Sequence, residues 1–325
     1  MRAAVVYQST GIPTFVEDFA VPIVQNENEL IISVKAAAVK NLDKTRASGK
    51  HYSMENEPHT ARIPGGDGVG ILADGTRVYG IGTSGMLAEK AIVEKDRIVK
   101  LPAGIDNASA AALPNAVVGS AMALRFRACL EKNETVLING ATGVTGKLAV
   151  QVAKFYGAKR VIATGRNEAS LQALLLLGAD EIISLKQDDK RFVAQIKATH
   201  EEHPIDIVID YLWGHSAELI LSAIKGNGDF SHRTRYVTVG GMMSDTITLS
   251  SSILRGTDIQ IYGSGLGSWT RAEIKSLIAE ILPDMFQLAA DGKLKIATVP
   301  VDLKDIETVW DMDVDGGKRI VVMIS

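Results

Sequence analysis

Glycines in the middle of the chain follow a short apolar run, in a pattern that can hold phosphate groups. Residues 136–138 have the composition of a strand buried on both faces, and apolar residues recur at helical spacing over 147–157. Between them, a variant of the G-x-G-x-x-G fingerprint has Ala141, Gly143 and Gly146 at its key positions. A strand, a glycine turn and a helix in this order predict a dinucleotide-binding unit.

Backbone amides at the start of a helix bind phosphate, so the whole glycine turn is predicted to contact the cofactor. Its predicted cofactor-binding residues are Gly140, Ala141, Thr142, Gly143, Val144, Thr145 and Gly146.

The end of the next strand selects between NAD and NADP. An NAD site usually has Asp or Glu about 20 residues past the glycines, where it bonds the ribose 2′-hydroxyl. Here the chain continues Gly165, Arg166, Asn167, and no carboxylate precedes Glu168. Because a guanidinium suits a 2′-phosphate, these three residues predict NADP(H). The alternative is that Arg166 is a solvated residue beginning the next helix.

The remaining pattern divides the chain into a β-rich part and an alternating part. Residues 1–114 contain short strand-like runs with glycine punctuation, including an expected tight turn at 64–70, and suggest a small barrel or sandwich. After two expected helices at 107–113 and 117–130, strands alternate with helices. Six such strands predict an α/β fold with a doubly wound, mostly parallel sheet.

Ligands of a parallel sheet bind at the carboxyl ends of its strands. Besides the turn at 140–146, the residues predicted to bind cofactor at such ends are Gly165, Gly240, Gly241, Gly263 and Ser264. The last strands, near 295–301 and 319–324, have no place in a six-stranded sheet and are expected to return to the first domain.

Composition narrows the class of protein. The 325 residues are 46% hydrophobic and 22% charged, which is typical of a globular protein. A net charge of −3 gives no attraction to nucleic acid, and no apolar run is long enough to span a bilayer. There is no signal-peptide pattern, and the single cysteine, Cys129, excludes an intramolecular disulfide. We therefore expect a cytoplasmic protein without nucleic-acid or membrane partners.

Several segments together resemble the medium-chain dehydrogenase/reductase superfamily, and most closely its zinc-free quinone oxidoreductases. The segments are Met1-Arg-Ala-Ala-Val-Val, Pro64-Gly-Gly-Asp-Gly-Val-Gly, Gly75-Thr-Arg-Val-Tyr, Leu101-Pro-Ala-Gly, Asn139-Gly-Ala-Thr-Gly-Val-Thr-Gly, Leu177-Gly-Ala-Asp and Gly317-Lys-Arg-Ile-Val. The resemblance covers nearly the whole chain. It implies a GroES-like catalytic domain over 1–114 and 266–325, a Rossmann domain over 115–265, and an active-site cleft between them.

The same resemblance bears on metal and catalysis. Zinc-dependent relatives read Gly-His-Glu where this chain has Gly65, Gly66 and Asp67, and one cysteine cannot build a structural Cys₄ site, so no metal is expected. Related quinone oxidoreductases carry Asn, two residues, then Asp, which places Lys40 and Asp43 on that motif.

Three residues are thus the catalytic candidates: Lys40, Asp43 and Tyr52, the last where relatives often have an aromatic pocket residue. Asn41 matches the family Asn only with a one-residue shift and is a cofactor-binding candidate. The alternatives are that Asp43 or Asn41 caps a short helix and that Lys40 is solvated.

These observations predict an NADPH-dependent, zinc-free oxidoreductase that passes hydride to a quinone or an α,β-unsaturated carbonyl. The alternatives are a nucleotide-binding sensor or structural protein with little turnover and, less favoured by the cysteine count and Gly66, an alcohol dehydrogenase. An apolar run at 259–262 is expected to form the edge of the sheet, and an uncovered edge favours a homodimer.

Overall fold

A computed structural model of the chain describes residues 1–7, 11–49, 61–226, 231–314 and 317–325. These residues form two compact units, Met1–Asn115 with Ile278–Ser325 and Ala116–Leu277. The described strands are β1 (Ala3–Val5), β2 (Thr14–Val16), β3 (Glu29–Ala38), β4 (Asp67–Ile71), β5 (Arg77–Gly82), β6 (Lys90–Lys100), β7 (Thr135–Asn139), β8 (Arg160–Gly165), β9 (Glu181–Ser184), β10 (Ile207–Asp210), β11 (Thr234–Thr238), β12 (Ile259–Gly263), β13 (Thr298–Asp302) and β14 (Arg319–Met323). The described α-helices are α1 (Asn41–Ala47), α2 (Asn107–Met122), α3 (Val144–Phe155), α4 (Glu168–Leu175), α5 (Asp189–Glu202), α6 (Gly214–Ala223), α7 (Ser251–Gly256), α8 (Arg271–Ser276), α9 (Leu282–Ala290) and α10 (Ile306–Val309).

The first unit is built on a mostly antiparallel sheet, in which only β13 and β14 pair parallel among the described strands, and which closes on itself. Its strand order is β13-β14-β3-β4-β5-β6, and β6 also pairs with β3, so β3 to β6 form a small barrel. Strand β14 comes from the end of the chain and pairs antiparallel with β3, with Val321 opposite Ala38. The expected return of the last strands to the first domain is confirmed by this pairing.

The glycines at 64–70 do not form only the expected tight turn. Gly65 turns with φ +96°, but Asp67–Ile71 is strand β4. A Cβ on Gly68 would lie 2.7 Å from the Ala36 carbonyl oxygen, and one on Gly70 would lie 2.7 Å from a side-chain carbon of β3. These two glycines are therefore needed because β4 crosses β3 closely, rather than because the chain reverses.

The second unit contains a six-stranded sheet in the order β12-β11-β10-β7-β8-β9, and each neighbouring pair is parallel. The chain order reverses direction at β7, so the crevice for a ligand is expected at the carboxyl ends of β7 and β10. All five residues of β7 are buried. The α/β fold predicted from the alternating pattern is confirmed, and β12 is an edge strand, as expected for 259–262.

The two units divide after Asn115 and after Leu277, where the resemblance implied divisions after residues 114 and 265. The first falls inside α2, one helix from Asn107 to Met122 that contains Pro114, where two helices were expected. A short π-helix, Ala123–Arg127, follows it. The second division lies before Ile278, so Glu273 belongs to the second unit, where it binds Arg127 at 2.6 Å.

No helix in the described parts of the chain is both long and apolar enough to cross a membrane.

Candidate active site

The glycine turn joins β7 to α3 and leaves the start of the helix open. Gly140 has φ +85°, and Gly143 occupies the N-cap position of α3, where no side-chain hydrogen bond caps the described helix start. A Cβ on Gly146 would lie 2.5 Å from the Cα of Ala141, so only glycine allows the helix to pack against the turn. A Cβ on Gly143 would meet no described atom within 4 Å. The first-turn amides, including those of Val144 and Thr145, are therefore placed to hold an anion.

The end of β8 lies directly against this turn. The Ala141 amide donates to the Thr164 carbonyl at 2.7 Å, and a Cβ on Gly165 would overlap the side chain of Thr142. Arg166 follows Gly165 and is exposed. The structure thus brings the predicted turn residues and the predicted cofactor-selecting residue to the same edge of one sheet.

Asn167 has a structural task at this edge. Its side-chain oxygen accepts a hydrogen bond from the Ser170 amide at 2.9 Å and caps α4. Arg166, in contrast, forms no ion pair with any residue that the structure describes. Arg166 therefore offers an exposed guanidinium for a ligand, while Asn167 holds the helix that follows it.

The remaining predicted strand ends lie along the same edge. Gly240 follows β11 and is packed so closely that a Cβ would lie 3.1 Å from the Tyr211 carbonyl oxygen. Gly241 is exposed, but a Cβ on it would lie 2.9 Å from the Ser244 carbonyl oxygen. Gly263 ends β12 and faces open space. Ser264 is buried, and its hydroxyl accepts a hydrogen bond from Trp269 Nε1 at 3.1 Å, so its side chain is engaged within the unit.

A buried polar network beneath the turn was not predicted from the sequence. Asn139 Nδ2 donates to Asp210 Oδ1 at 2.8 Å, and Thr164 Oγ1 donates to Asn139 Oδ1 at 2.7 Å. Tyr236 donates to Asp210 Oδ2 at 2.6 Å. Burial raises the pKa of Asp210, although the hydrogen bond from Tyr236 and two backbone amides oppose this. These bonds fix the carboxyl ends of β7, β8 and β10 relative to one another. In the sequence, the polar residues at the ends of apolar strands were the signal that could have indicated this network.

In the first unit, two of the three catalytic candidates, Lys40 and Asp43, belong to a charge cluster, defined here as Lys40, Asp43, Asp67 and Tyr79. Lys40 is 2% exposed, although a lysine is seldom buried unless it is paired. Its Nζ makes a short ion pair with Asp67 Oδ1 and lies 3.4 Å from Asp43 Oδ2. Tyr79 OH donates to Asp67 Oδ2 at 2.9 Å. The ammonium is thus held by two carboxylates, one of which also binds a phenol.

The backbone explains why the charge cluster forms at this place. Lys40 precedes α1, and its amide donates to Asp43 Oδ2 at 3.1 Å, as at a capped helix start. The Gly66 amide donates to Asp43 Oδ1 at 3.2 Å. Asp43 therefore joins α1 to the turn before β4, and Lys40 adds a second link through Asp67.

Burial and pairing act in opposite directions on these groups. Burial lowers the pKa of Lys40, but the carboxylates of Asp43 and Asp67 outweigh it and raise this pKa above its usual value. Burial raises the pKa of Tyr79 well above its usual value, and the nearby Asp67 adds to the effect. Lys40 is therefore a cation at neutral pH, and Tyr79 stays protonated and remains a donor.

Arg319 is a second cation near the charge cluster. Burial lowers its pKa, while the charges of Asp43 and Asp67 act to raise it. Its Nη2 donates to Asn115 Oδ1 at 3.2 Å. Two cations thus balance two carboxylates. Sequence reasoning missed Tyr79 and Arg319 because neither lies near Lys40 along the chain.

Two predicted site residues and the glycine at the zinc-histidine position remain to be placed. Asn41 is the first residue of α1 and is exposed, and Tyr52 lies outside the described residues. Gly66, at the position of the zinc histidine of zinc-dependent relatives, has Asp43 Oδ1 and Arg46 Nη1 near its missing Cβ, at 3.9 and 3.8 Å. Within the described chain, no group of three or more His, Cys, Asp or Glu side chains is placed to hold a metal ion.

Comparisons with known proteins agree with this architecture. A family model described as zinc-binding dehydrogenase matches residues 144–282, a segment that does not include Gly66. The quinone oxidoreductase of Sus scrofa is 30% identical over 279 residues, which are 82% of this chain and 80% of that protein. A probable NADPH-dependent quinone reductase of Emericella nidulans is 27% identical and covers 91% of this chain and 92% of its own.

A solved structure extends the likeness to the whole chain. The quinone oxidoreductase of Thermus thermophilus, whose structures include a complex with NADPH, is 26% identical with a TM-score of 0.79 and covers 100% of both chains. The chain therefore belongs to the quinone oxidoreductase-like branch of the medium-chain dehydrogenase/reductase superfamily, a family of oxidoreductases.

Proposed function

We propose that this protein is an NADPH-dependent, zinc-free oxidoreductase that reduces a quinone or an α,β-unsaturated carbonyl. The observation that carries the proposal is the open glycine turn beside an exposed Arg166, with no carboxylate between the end of β8 and Glu168. The names of the Emericella nidulans relative and the Thermus thermophilus structure, which both mention NADPH, support it. Bound NADPH would supply the hydride.

The residues of the second unit would bind and orient that cofactor. The amides at the start of α3 would hold the pyrophosphate, because Gly143 leaves space above them and Gly146 lets the helix approach. Arg166 would pair with the 2′-phosphate as a charge-assisted contact. Gly241 and Gly263, exposed at the same edge, would let the backbone approach the rest of the nucleotide.

The donor set of the first unit favours a reaction without zinc. Gly66 supplies no ligand, and the carboxylates of Asp43 and Asp67 already bind the ammonium of Lys40. A reaction without a Lewis acid favours acceptors that delocalise added charge themselves, as quinones and enones do and simple alcohols do not. Stoichiometric zinc in the purified protein, or ethanol oxidation sensitive to chelators, would contradict this part.

Lys40 and Asp43 remain catalytic predictions, as does Tyr52. The Lys40 ammonium donates to Asp67 and lies 3.4 Å from Asp43, so two carboxylates compete with an acceptor oxygen for its protons. We therefore propose that Lys40 and Asp43 act chiefly as positioning residues, which hold α1 against the turn at Gly65–Asp67. Asn41, exposed at the start of α1, stays a proposed cofactor contact.

Steady-state oxidation of NADPH and NADH, with a panel of quinones and enones, tests the function. A charge-assisted contact contributes about 1.5–3 kcal/mol, so we expect a preference for NADPH of about tenfold to a hundredfold. Arg166→Ala should raise the KM for NADPH and leave the KM for NADH nearly unchanged. Arg255→Ala, at an exposed arginine at the end of α7 that precedes β12, is the matched control and should change neither KM.

Two results would redirect the proposal. Equal use of both cofactors by the unmutated protein would remove the NADPH assignment. Tight NADPH binding without turnover on any acceptor would favour the nucleotide-binding sensor instead.

We also propose a homodimer formed through β12. This strand pairs only with β11 among the described strands, and Ile261 is 37% exposed on it. Pairing of two copies about a two-fold axis would satisfy the free backbone groups of an uncharged edge. Light scattering behind a sizing column should give twice the chain mass of 34.8 kDa. Ile261→Lys should reduce that mass to one chain, and a wild-type mass of one chain would refute the dimer.

The cytoplasm is the proposed compartment. Cys129 is free and exposed, which suits a reducing environment.

A further inference from the structure

Lys186 leaves the sheet beside Arg166, one strand further along. Strands β8 and β9 pair Gly165 with Ser184, and the amide of Leu185 continues the ladder by donating to the Gly165 carbonyl at 2.7 Å. Neighbouring strands of a sheet lie about 4.8 Å apart. The backbones of Arg166 and Lys186 therefore emerge next to each other at the carboxyl edge of the sheet.

The turn that presents Lys186 is held in place on both sides. The Lys186 amide donates to Ser184 Oγ at 3.1 Å. The side-chain amide of Gln187 donates to the Ser184 carbonyl at 2.8 Å and to Gln195 Oε1 at 2.6 Å. Lys186 itself is exposed. Its backbone is thus positioned while its ammonium is free to reach a ligand.

The carboxylates close to Lys186 in sequence are engaged elsewhere. Asp188 accepts the hydrogen bond that caps α5, and Asp189 Oδ2 lies 2.9 Å from His215 Nε2. Near Arg166, Glu168 at the start of α4 accepts a hydrogen bond from Gln172. Neither Lys186 nor Arg166, which follows β8, forms an ion pair within the described residues. Both cations are therefore available to a ligand at this edge.

We propose that Lys186 is a specificity-determining residue that, together with Arg166, binds the 2′-phosphate of the cofactor. The inference rests on the proposed use of NADPH and adds a second residue to its recognition. A phosphate monoester carries a charge of about −1.5 to −2 at neutral pH, so one guanidinium leaves part of it uncompensated. An ammonium on a flexible stem is a point charge that can supply the remainder without the planar geometry of Arg166.

Binding of adenosine 2′,5′-bisphosphate and of adenosine 5′-monophosphate, measured by calorimetry on the full chain, tests this assignment. The two probes differ only in the 2′-phosphate. Lys186→Ala should weaken binding of the bisphosphate by about threefold to tenfold and leave binding of the monophosphate unchanged. Lys275→Ala removes an exposed lysine from α8, which follows the opposite edge strand, and should change neither.

The outcomes separate this inference from the proposed function. If wild type prefers the bisphosphate and Arg166→Ala removes the preference, but Lys186→Ala does not reduce it, Lys186 has no such role and NADPH use stands. If Lys186→Ala weakens binding of both probes equally, Lys186 acts through its general electrostatic field rather than on the 2′-phosphate, and the assignment is overturned. If wild type binds both probes equally, there is no 2′-phosphate site, and the inference and the proposed use of NADPH fail together.

Discussion

The two units treat their charged groups in opposite ways. In the first unit, Lys40 is buried and bound by Asp43 and Asp67, so its charge is neutralised inside the protein. In the second unit, the amides at the start of α3 lack a side-chain cap and Arg166 is exposed. The first arrangement fixes geometry without any ligand, while the second leaves positive potential for a ligand to satisfy. The contrast separates groups that hold the site from groups that bind.

Glycines show the same contrast. Gly68 and Gly70 allow two strands of the first unit to approach, and a Cβ at either would overlap protein atoms. Gly143 has no described atom within 4 Å of its missing Cβ, so the protein itself does not require a glycine there. A glycine that packing does not explain is the better indication of a ligand.

The largest expected effect comes from breaking the charge cluster. Lys40→Met keeps the side-chain length but leaves the buried Asp43 and the partly buried Asp67 without their ammonium. Removing one partner of a buried ion pair costs about 3–5 kcal/mol of the free energy of unfolding. Asp67→Asn in the same chain should recover part of that loss, because it removes one of the uncompensated charges.

Urea unfolding followed by the fluorescence of Trp310 measures this loss of stability in the first unit. Trp310 is 2% exposed and is the only tryptophan left once Trp213 and Trp269 are replaced by Phe. Lys44→Met is the matched control, because Lys44 lies 3.8 Å from an exposed Asp311 and such pairs contribute at most about 1 kcal/mol. Equal losses for the two methionine variants would show that the buried pairing is not special.

Two neighbouring glycines sharpen the comparison in the second unit. Gly143→Ala adds a methyl group to open space, and the φ of −78° suits alanine, so the free energy of unfolding should change by no more than about 1 kcal/mol. The methyl would occupy the proposed pyrophosphate position, and we expect NADPH to bind at least about tenfold more weakly. Calorimetric titration and thermal unfolding of the same samples separate the two effects.

Gly146→Ala is the counterpart, because its Cβ would lie 2.5 Å from the Cα of Ala141. The turn must shift, so this variant should lose about 1–3 kcal/mol of stability as well as NADPH affinity. If Gly143→Ala binds NADPH like wild type, the open space above α3 is not where the cofactor sits.

Features with a local pattern were predictable from the sequence. The strand, glycine turn and helix at 135–155 and the edge strand at 259–262 follow from apolar periodicity and glycine placement, and both are confirmed. The fused helix α2 was not predicted, because Pro114 usually ends a helix and its neighbours indicated two.

Features made by distant residues were not predictable. Lys40 alone was compatible with a solvated lysine, and only the fold brings Asp67 and Tyr79 to it. Arg319 joins them from the end of the chain, because β14 returns to β3. Burial decides whether a charge is solvated or paired, and it depends on strand pairing across hundreds of residues rather than on neighbours in sequence.

The smallest expected effect concerns a partly exposed ion pair, whose exposure lies between that of the buried Lys40 and that of the exposed Arg166. Arg127 binds Glu273 with both side chains 15% exposed, and the hydrogen bonds from Arg127, followed by that from the Thr270 amide, lower the pKa of Glu273 to about 2. A carboxyl whose pKa is depressed on folding stabilises the protein above its unfolded pKa, about 4.3, and this contribution is lost as the pH falls toward 2. Because the pair is near solvent, we expect it to contribute about 1 kcal/mol to the free energy of unfolding.

Thermal unfolding at a series of pH values between 7 and 3 measures that contribution. Glu273→Gln should melt lower than wild type at pH 7. The difference should begin to shrink as the pH falls through 4, since the carboxyl of the unfolded wild-type chain takes up its proton near pH 4.3 while that of the folded chain keeps its charge down to about pH 2. Glu168→Gln, at an exposed carboxyl that accepts a hydrogen bond from Gln172, should follow the wild-type curve throughout. A Glu273→Gln difference that stays constant across this range would mean that lost packing, rather than the charge, stabilises this corner of the second unit.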